Sequence, residues 1–236
     1  MTTRLTDVVV DSADPAESAE FWSGLLERPV VDRTADAVVV ALDGSANLVF
    51  VPVAEPKVVP NRLHLDLVTT SPQHRERLPA RARERGAVPV DIGQGAVPWE
   101  VLADPAGNEF CVLEPRDEYL GIGPVAAVVV NAADPVALAG FWSHATGLPV
   151  TRQGPGFASL RREDGFWLEF VQVTEPKVVK NRLHLDVAPP PDGDLVLEVA
   201  RLEACGAVRA DVGQSVVPWV VLADPEGNEF CVLTPR

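Results

Sequence analysis

Basic residues are scarce in this chain: 20 Lys and Arg stand against 34 Asp and Glu, a formal net charge of −14 with a pI near 4.6. Nucleic acid and anionic bilayers are gripped through a basic face, so neither is an expected partner. Cysteine is equally sparse. Cys111, Cys205 and Cys231 make an odd set of 3, which excludes a disulfide framework and fits reduced thiols in the cytoplasm. No apolar run approaches the roughly 20 residues of a membrane span, and the opening MTTRLTDVVVDSADP carries no long apolar stretch after Arg4. A cytoplasmic protein without membrane partners is therefore expected. Also missing are a phosphate-cradling glycine loop, a paired CxxC, HExxH and GxSxG, which removes nucleotide-binding, metalloprotease and serine-hydrolase readings.

What the chain does have is duplication. NRLHLD occupies Asn61 to Asp66 and recurs unchanged at Asn181 to Asp186, an offset of 120 that other landmarks share. The expected division is 1–116, a linker at 117–124, and 125–236. A smaller plan lies inside each copy. LTDVVV reads as a strand, then Asp14, Pro15 and Glu17 form a capping box that starts a helix with an apolar stripe at Ala19, Trp22, Leu25 and Leu26. Strands at 37–42 and 47–53 follow, joined through Asp43-Gly44 as a hairpin turn, with room for another strand around Val30. NRLHLD begins the order again: Ser71-Pro72 opens a helix ending before Gly86, with Pro79 predicting a kink or a late start. VPWEVLADPAGNEFCVLE then gives two strands around the turn Asp104 to Asn108. Asp134-Pro135, Asp164-Gly165, the Leu195, Val199 and Leu202 stripe and Gly206 repeat the plan.

Four βαβββ-type modules in two pairs, with HLDL, or HLDV in the second copy, opening the second module of each copy and DPxGNEFCVL closing it, resemble the vicinal oxygen chelate superfamily, in particular its glyoxalase-like and bleomycin-resistance-like branch. The resemblance covers nearly the whole chain. It implies an α+β protein of tandem glyoxalase-like domains, in which two modules curl into a half-open barrel. It leaves open whether modules pair within a copy or exchange between copies. In the superfamily's enzymes a divalent metal sits inside the barrel, held from the first strand, the last strand of the first module, the HLDL-type His and the closing strand. Here those positions fall on Asp7 or Ala127, Val49 or Glu169, His64 or His184, and Cys111 or Cys231. Neither copy keeps the full set, and the mixture the resemblance offers as a metal group is His184, Glu169 and Cys231.

Two readings stand at most of the candidate positions. His64 and His184 are either ligands and bases or satisfied structural residues. Alternation sets Asp66 and Asp186 on the same face, where a carboxylate orients an imidazole for acid–base work or forms a solvated rim pair. Cys111 and Cys231 are each a soft ligand or nucleophile or, more simply, a small buried hydrophobe with no basic neighbour in sequence. Glu109 and Glu229 are hairpin ends or pocket carboxylates. Trp22 and Trp142 belong to the core, whereas Trp99, Trp167 and Trp219 suit stacking on a flat or cationic small molecule as well as ordinary packing. EPKVV with Arg62 or Arg182 reads as an anion clamp or an exposed crossover. The sequence thus predicts a small-molecule ligand or substrate, a monomer or homodimer, and no resident cofactor, with a divalent metal as the other possibility. Function divides between sequestration of a natural product or xenobiotic in a Trp-bordered acidic cavity and a lyase, isomerase or dioxygenase-type enzyme. Glu169 and Trp167 mark the second copy as the better equipped for a ligand.

Overall fold

The computed structural model describes residues 3–42, 46–162 and 165–236. The first copy supplies β1 (Arg4–Ser12), α1 (Pro15–Leu26), β2 (Val30–Arg33), β3 (Val38–Ala41) and β4 (Asn47–Pro52) as its first module. Its second module is β5 (Leu63–Leu67), α2 (Pro72–Glu84), β6 (Val88–Pro89), β7 (Glu100–Ala103) and β8 (Glu109–Val112). A short 3-10 turn, Asp117–Tyr119, leads to the second copy. There β9 (Val125–Ala132), α3 (Pro135–Thr146), β10 (Val150–Gly154), β11 (Phe157–Leu160) and β12 (Trp167–Gln172) form the third module. The fourth is β13 (Leu183–Ala188), α4 (Leu195–Ala204), β14 (Val208–Arg209), β15 (Val220–Ala223) and β16 (Glu229–Val232).

Local chemistry starts these helices where the sequence predicts. Asp14 accepts from the amides of Ala16 and Glu17, Ser71 from that of His74, and Asp134 from that of Ala137, which satisfies N–H groups the first helical turn leaves free. α2 begins at Pro72 and runs through Pro79, so the late start does not occur. The hairpin turn at Asp43-Gly44 and the residue Asp164 lie outside the described residues.

The strands form two 8-stranded sheets, and each sheet is a composite of the two copies. One runs β14-β15-β16-β13-β1-β4-β3-β2 and joins the fourth module to the first; the other runs β10-β11-β12-β9-β5-β8-β7-β6 and joins the third to the second. The seams are antiparallel: β1 meets β13 with Asp7 opposite Asp186 and Val9 opposite His184, while β5 meets β9 with His64 opposite Val129 and Asp66 opposite Ala127. The modules therefore exchange between copies. We call these the His184 sheet and the His64 sheet.

Each sheet turns one face to the helices. On that side Val8, Val10, Leu48, Phe50, Leu185 and Phe230, together with their counterparts in the His64 sheet, merge with the helix stripes into a single core. Trp22 and Trp142 are buried there as expected, and their indole N–H groups donate to Asp104 Oδ2 at 2.9 Å and Asp224 Oδ2 at 3.0 Å. The same rings meet Phe110 and Phe230 edge-on at 5.1 and 5.2 Å. Hydrogen-bonded sheets thus cross between copies, while each helix α1 or α3 grips the closing hairpin of its own copy. Arg62 and Arg182 complete the interlock. Arg62 donates to the carbonyls of Glu175 and Asn131 at 2.9 and 2.7 Å, and Arg182 to those of Glu55 and Asp11 at 2.7 and 3.1 Å, so both guanidiniums bind backbone of the opposite copy.

This topology has a direct consequence for the isolated repeat. Residues 1–116 alone keep β4 beside β1 and β8 beside β5 but lack β13 and β9, so each central strand is left with one edge of its ladder unpaired. Light scattering after gel filtration is expected to find this fragment as a dimer, with modules traded between chains; a folded monomer would refute the requirement for exchange.

Candidate functional site

The face of each sheet turned away from the helices gathers the candidate residues, because alternation along β5 and β13 sends Leu63, Leu65, Leu183 and Leu185 into the core and the His and Asp between them to the other side. Parallel pairing then sets Asp66 beside Cys111 and Asp186 beside Cys231. The result is a His–Asp–Cys group on each sheet, His64, Asp66 and Cys111 on one and His184, Asp186 and Cys231 on the other, each with three ligand atoms within 4.8 Å of one another. The imidazole Nε2 lies 3.4 Å from Asp66 Oδ1 and 3.5 Å from Asp186 Oδ1. Both carboxylate oxygens are buried and make no hydrogen bond.

Burial governs the protonation of the second group. His184 is 15% exposed at its side chain and Asp186 12%. Loss of hydration, reinforced by Lys180, depresses the His184 pKa to about 3. Loss of hydration, reinforced by Asp7, lifts that of Asp186 to about 8. The Cys231 thiol is driven up by burial and by Asp186, and the Cys111 thiol by burial and by Asp66. At neutral pH the His184 group is therefore a neutral imidazole, a protonated carboxyl and an undissociated thiol. That is a hydrogen-bonding patch with no free base of ordinary strength and no thiolate nucleophile.

The surroundings of the two groups differ, because β1 and β4 furnish the facing wall of one sheet and β9 and β12 that of the other. Across from Asp186 stand Asp7 and, one strand further, Asn47, whose amide donates to Asp7 Oδ1 at 2.9 Å. The corresponding positions across from Asp66 are Ala127 and Trp167. Glu169, on β12, belongs to the His64 sheet, so the sequence-derived metal set of His184, Glu169 and Cys231 is divided between sheets by the exchange of modules. Glu169 instead sits near Asp66, and burial followed by that charge raises its pKa. Trp167 is buried, with the Arg152 and Arg161 guanidiniums over its ring at 4.3 and 4.8 Å. The ring face that sequence assigned to a ligand is thus taken by two arginines of the chain.

The connector between copies packs beside the His64 group, against Cys111. Tyr119 and Ile122 are buried against Val68, Val101, Cys111, Val129 and Trp167, with Trp99 half-buried at the edge of the cluster. On the His184 sheet the matching cluster is only Ala188, Val221, Cys231 and Leu233, and Trp219 is 37% exposed. The better-equipped second copy expected from Glu169 and Trp167 is accordingly not one site: its third module walls the His64 group and its fourth carries the His184 group, and the two histidine side chains are almost equally exposed, at 18% and 15%.

Glu109 and Glu229 have a different placement from Cys111 and Cys231. Glu109 accepts from Lys57 at 2.5 Å and from the Asn61 amide, and Glu229 accepts from Lys177 at 2.6 Å and from the Asn181 amide. Each carboxylate pins the crossover that precedes NRLHLD, and its lysine partner was missed by sequence reasoning. The signal was present, since Lys and Glu recur 52 residues apart in both copies. The Arg62 and Arg182 side chains tie the copies together, as described above, in place of an anion clamp.

Against known proteins, a family profile described as a glyoxalase-like domain matches residues 7–113 and again 127–233. No curated protein sequence matches. Among solved structures, glyoxalase I from Zea mays aligns with a TM-score of 0.68 at 12% identity over 99% of this chain and 92% of its own. A protein of Bacillus subtilis subsp. subtilis str. 168, provisionally assigned as a dioxygenase, aligns with a TM-score of 0.68 at 12% identity over 100% of this chain and 86% of its own. At that identity the likeness is one of fold.

The displaced pKa values predict a pH signature. Asp186, raised to about 8, favours the fold while protonated, a contribution full below 3.8 and lost as pH rises through about 8. His184, lowered to about 3, opposes the fold as pH falls through 6.5 and contributes only the tail of that titration above it, so between pH 6.5 and 8 Asp186 dominates the change within the pair. Denaturant unfolding is expected to lose about 1–2 kcal/mol across that interval in the wild type. Asp186→Asn, which mimics the protonated form, should flatten the profile; an equal slope in both proteins would refute the assignment.

Proposed function

We propose that this chain, which belongs to the glyoxalase-like domain family, is a small-molecule binding protein that takes its ligand at the His184 group, on the face of that sheet turned away from the helices. The reading is carried by one contrast: the chain's own Tyr119 and Ile122 pack into the cluster around Cys111 of the His64 group, whereas the cluster around Cys231 of the His184 group holds, among the described residues, only Ala188, Val221 and Leu233 as further buried members. The chemistry of the trio supports binding. With His184 neutral and Asp186 protonated, the group offers hydrogen bonds to a polar ligand without burying a net charge, and Asp186 Oδ1 is a buried acceptor that lacks a donor. Val9 and Val49 on the facing strands give such a ligand apolar contact, in the manner of sites that combine an apolar lining with a few polar groups. Sequestration requires nothing more than this.

A second reading, a metal-dependent enzyme, is favoured by the orphaned Asp66 and Asp186 oxygens. An imidazole nitrogen, a carboxylate oxygen and a sulfur within 4.8 Å suit zinc with three protein ligands and an open position, so His184, Asp186 and Cys231 would hold it, and His64, Asp66 and Cys111 a second ion. Bound there, the ion would supply a Lewis acid for a carbonyl or a bound water. The chain's own part would be to orient the imidazole and to give up the thiol proton.

Two measurements separate these readings. Thermal-shift screening against a panel of natural products and xenobiotics should give hits whose affinity drops at least tenfold in His184→Ala and is little changed in His64→Ala; the reverse pattern would refute the assignment to the His184 group. Elemental analysis of protein purified without chelator or added metal tests the second. One or two equivalents of zinc, iron, nickel or manganese per chain, lost in His184→Ala and His64→Ala, would favour the enzyme, and a metal-free protein that takes up none on dialysis would retire it.

A further inference from the structure

Between the two sheets, away from both His–Asp–Cys groups, lies a cleft of about 680 Å³. One wall comes from the first module through Arg28, Pro29 and Leu42, another from the third through Leu148, Arg162 and Phe166, and the connector at 121–123 crosses between them. Arg4 completes a set of three guanidiniums, and the described lining contains no carboxylate. In a chain of net charge −14 that local excess of positive charge runs against the composition.

The arginines are set for an external partner. Arg28 is fixed at its backbone, where its amide donates to the Ser23 carbonyl and its carbonyl accepts from Ser23 Oγ at 2.6 Å. Its side chain lies over the connector, so that a Cβ added to Gly123 would come 3.6 Å from Arg28 Nη2. Yet Arg28 Nε is buried with no hydrogen-bond partner among the described residues, a state that costs stability unless something accepts from it. Gly121 and Gly123 hold φ of +81° and +95°, which lets the connector pass without side chains that would narrow the opening. Arg4 spends one Nη2 hydrogen on the Arg236 carbonyl at 3.2 Å and keeps the rest of its fork.

We infer that this inter-sheet cleft is an anion site, which takes a small organic carboxylate or phosphate monoester with its charged head among Arg4, Arg28 and Arg162 and its apolar body against Leu42, Leu148 and Phe166. A planar guanidinium matches either head group through paired N–H donors, and the volume is that of a small-ligand site. The site is separate from the His184 group, and Ile122 borders both the cleft and the cluster around Cys111.

Isothermal titration of the full chain with phenyl phosphate and with benzoate, at low and at physiological salt, tests the site; benzyl alcohol is the uncharged control. Saturable 1:1 binding of at least one anion, weaker in higher salt, is expected, with no binding of the alcohol. Arg28→Gln should weaken it at least tenfold, Arg28→Lys by less, and Arg33→Gln, on an exposed strand remote from the lining, not at all. Thermal melting of each variant guards against unfolding. Asp43, Glu163 and Asp164 adjoin lining residues in sequence and lie outside the described residues, so a variant with Asn, Gln and Asn at these positions is titrated as well. Absence of saturable binding, binding indifferent to Arg28→Gln, or binding that emerges only in the triple variant would each overturn the proposal.

Discussion

The antiparallel seam between the first strand of one copy and the NRLHLD strand of the other is the constraint on which the molecule rests. β1 finds its partner in β13 and β9 in β5, so no half of the chain closes its own hydrogen-bond ladder. Opposing it in direction are the Trp22–Asp104 and Trp142–Asp224 hydrogen bonds, which bind helix to hairpin within a copy. Sheet hydrogen bonds run across and core contacts run along. Burial raises the pKa of Asp104 and of Asp224, and the indole and Asn amide donors work against that rise, so these buried carboxylates depend on the contacts they make.

Local signals in the sequence were sufficient for the elements and insufficient for their pairing. Asp14-Pro15 and Ser71-Pro72 start helices because capping is chemistry between neighbours, and NRLHLD alternates because its leucines enter the core. Module exchange is decided by which strand edges meet after the chain has turned back on itself, and no residue near β1 encodes that. Glu169 shows the cost: read along the chain it belongs with His184, read across the sheet it belongs with His64. Trp167 was legible as an aromatic on an inner face, but Arg152 and Arg161 reach its ring from β10 and from the end of β11, a contact that only the folded sheet creates. Pro79 was expected to disturb α2, and the helix keeps its start because the amide it lacks lies inside an element already anchored at Ser71 and buried at Leu78 and Ala82.

The electrostatic character of the two faces follows from the same geometry. An acidic chain has placed, at the centre of the His184 sheet, a group in which burial outweighs charge. On the His184 sheet the carboxyl retains its proton and the imidazole stays neutral, while Asp7 nearby reinforces the first of these. What such a face recognises is a pattern of donors and acceptors, and discrimination of that kind is strongest against molecules that leave a buried polar atom unmatched.

The crossing of strands also shapes how the two faces can diverge. Each copy lends its His strand to one face and its opposing wall to the other, so a substitution in β1 or β4 alters the surroundings of His184 while leaving the histidine of its own copy untouched. The histidine, aspartate and cysteine are the same on both sheets, whereas Asp7 and Asn47 on one wall answer to Ala127 and Trp167 on the other. Inheritance by duplication has left two identical centres in unlike frames, and neither copy can be discarded without taking half of each frame with it.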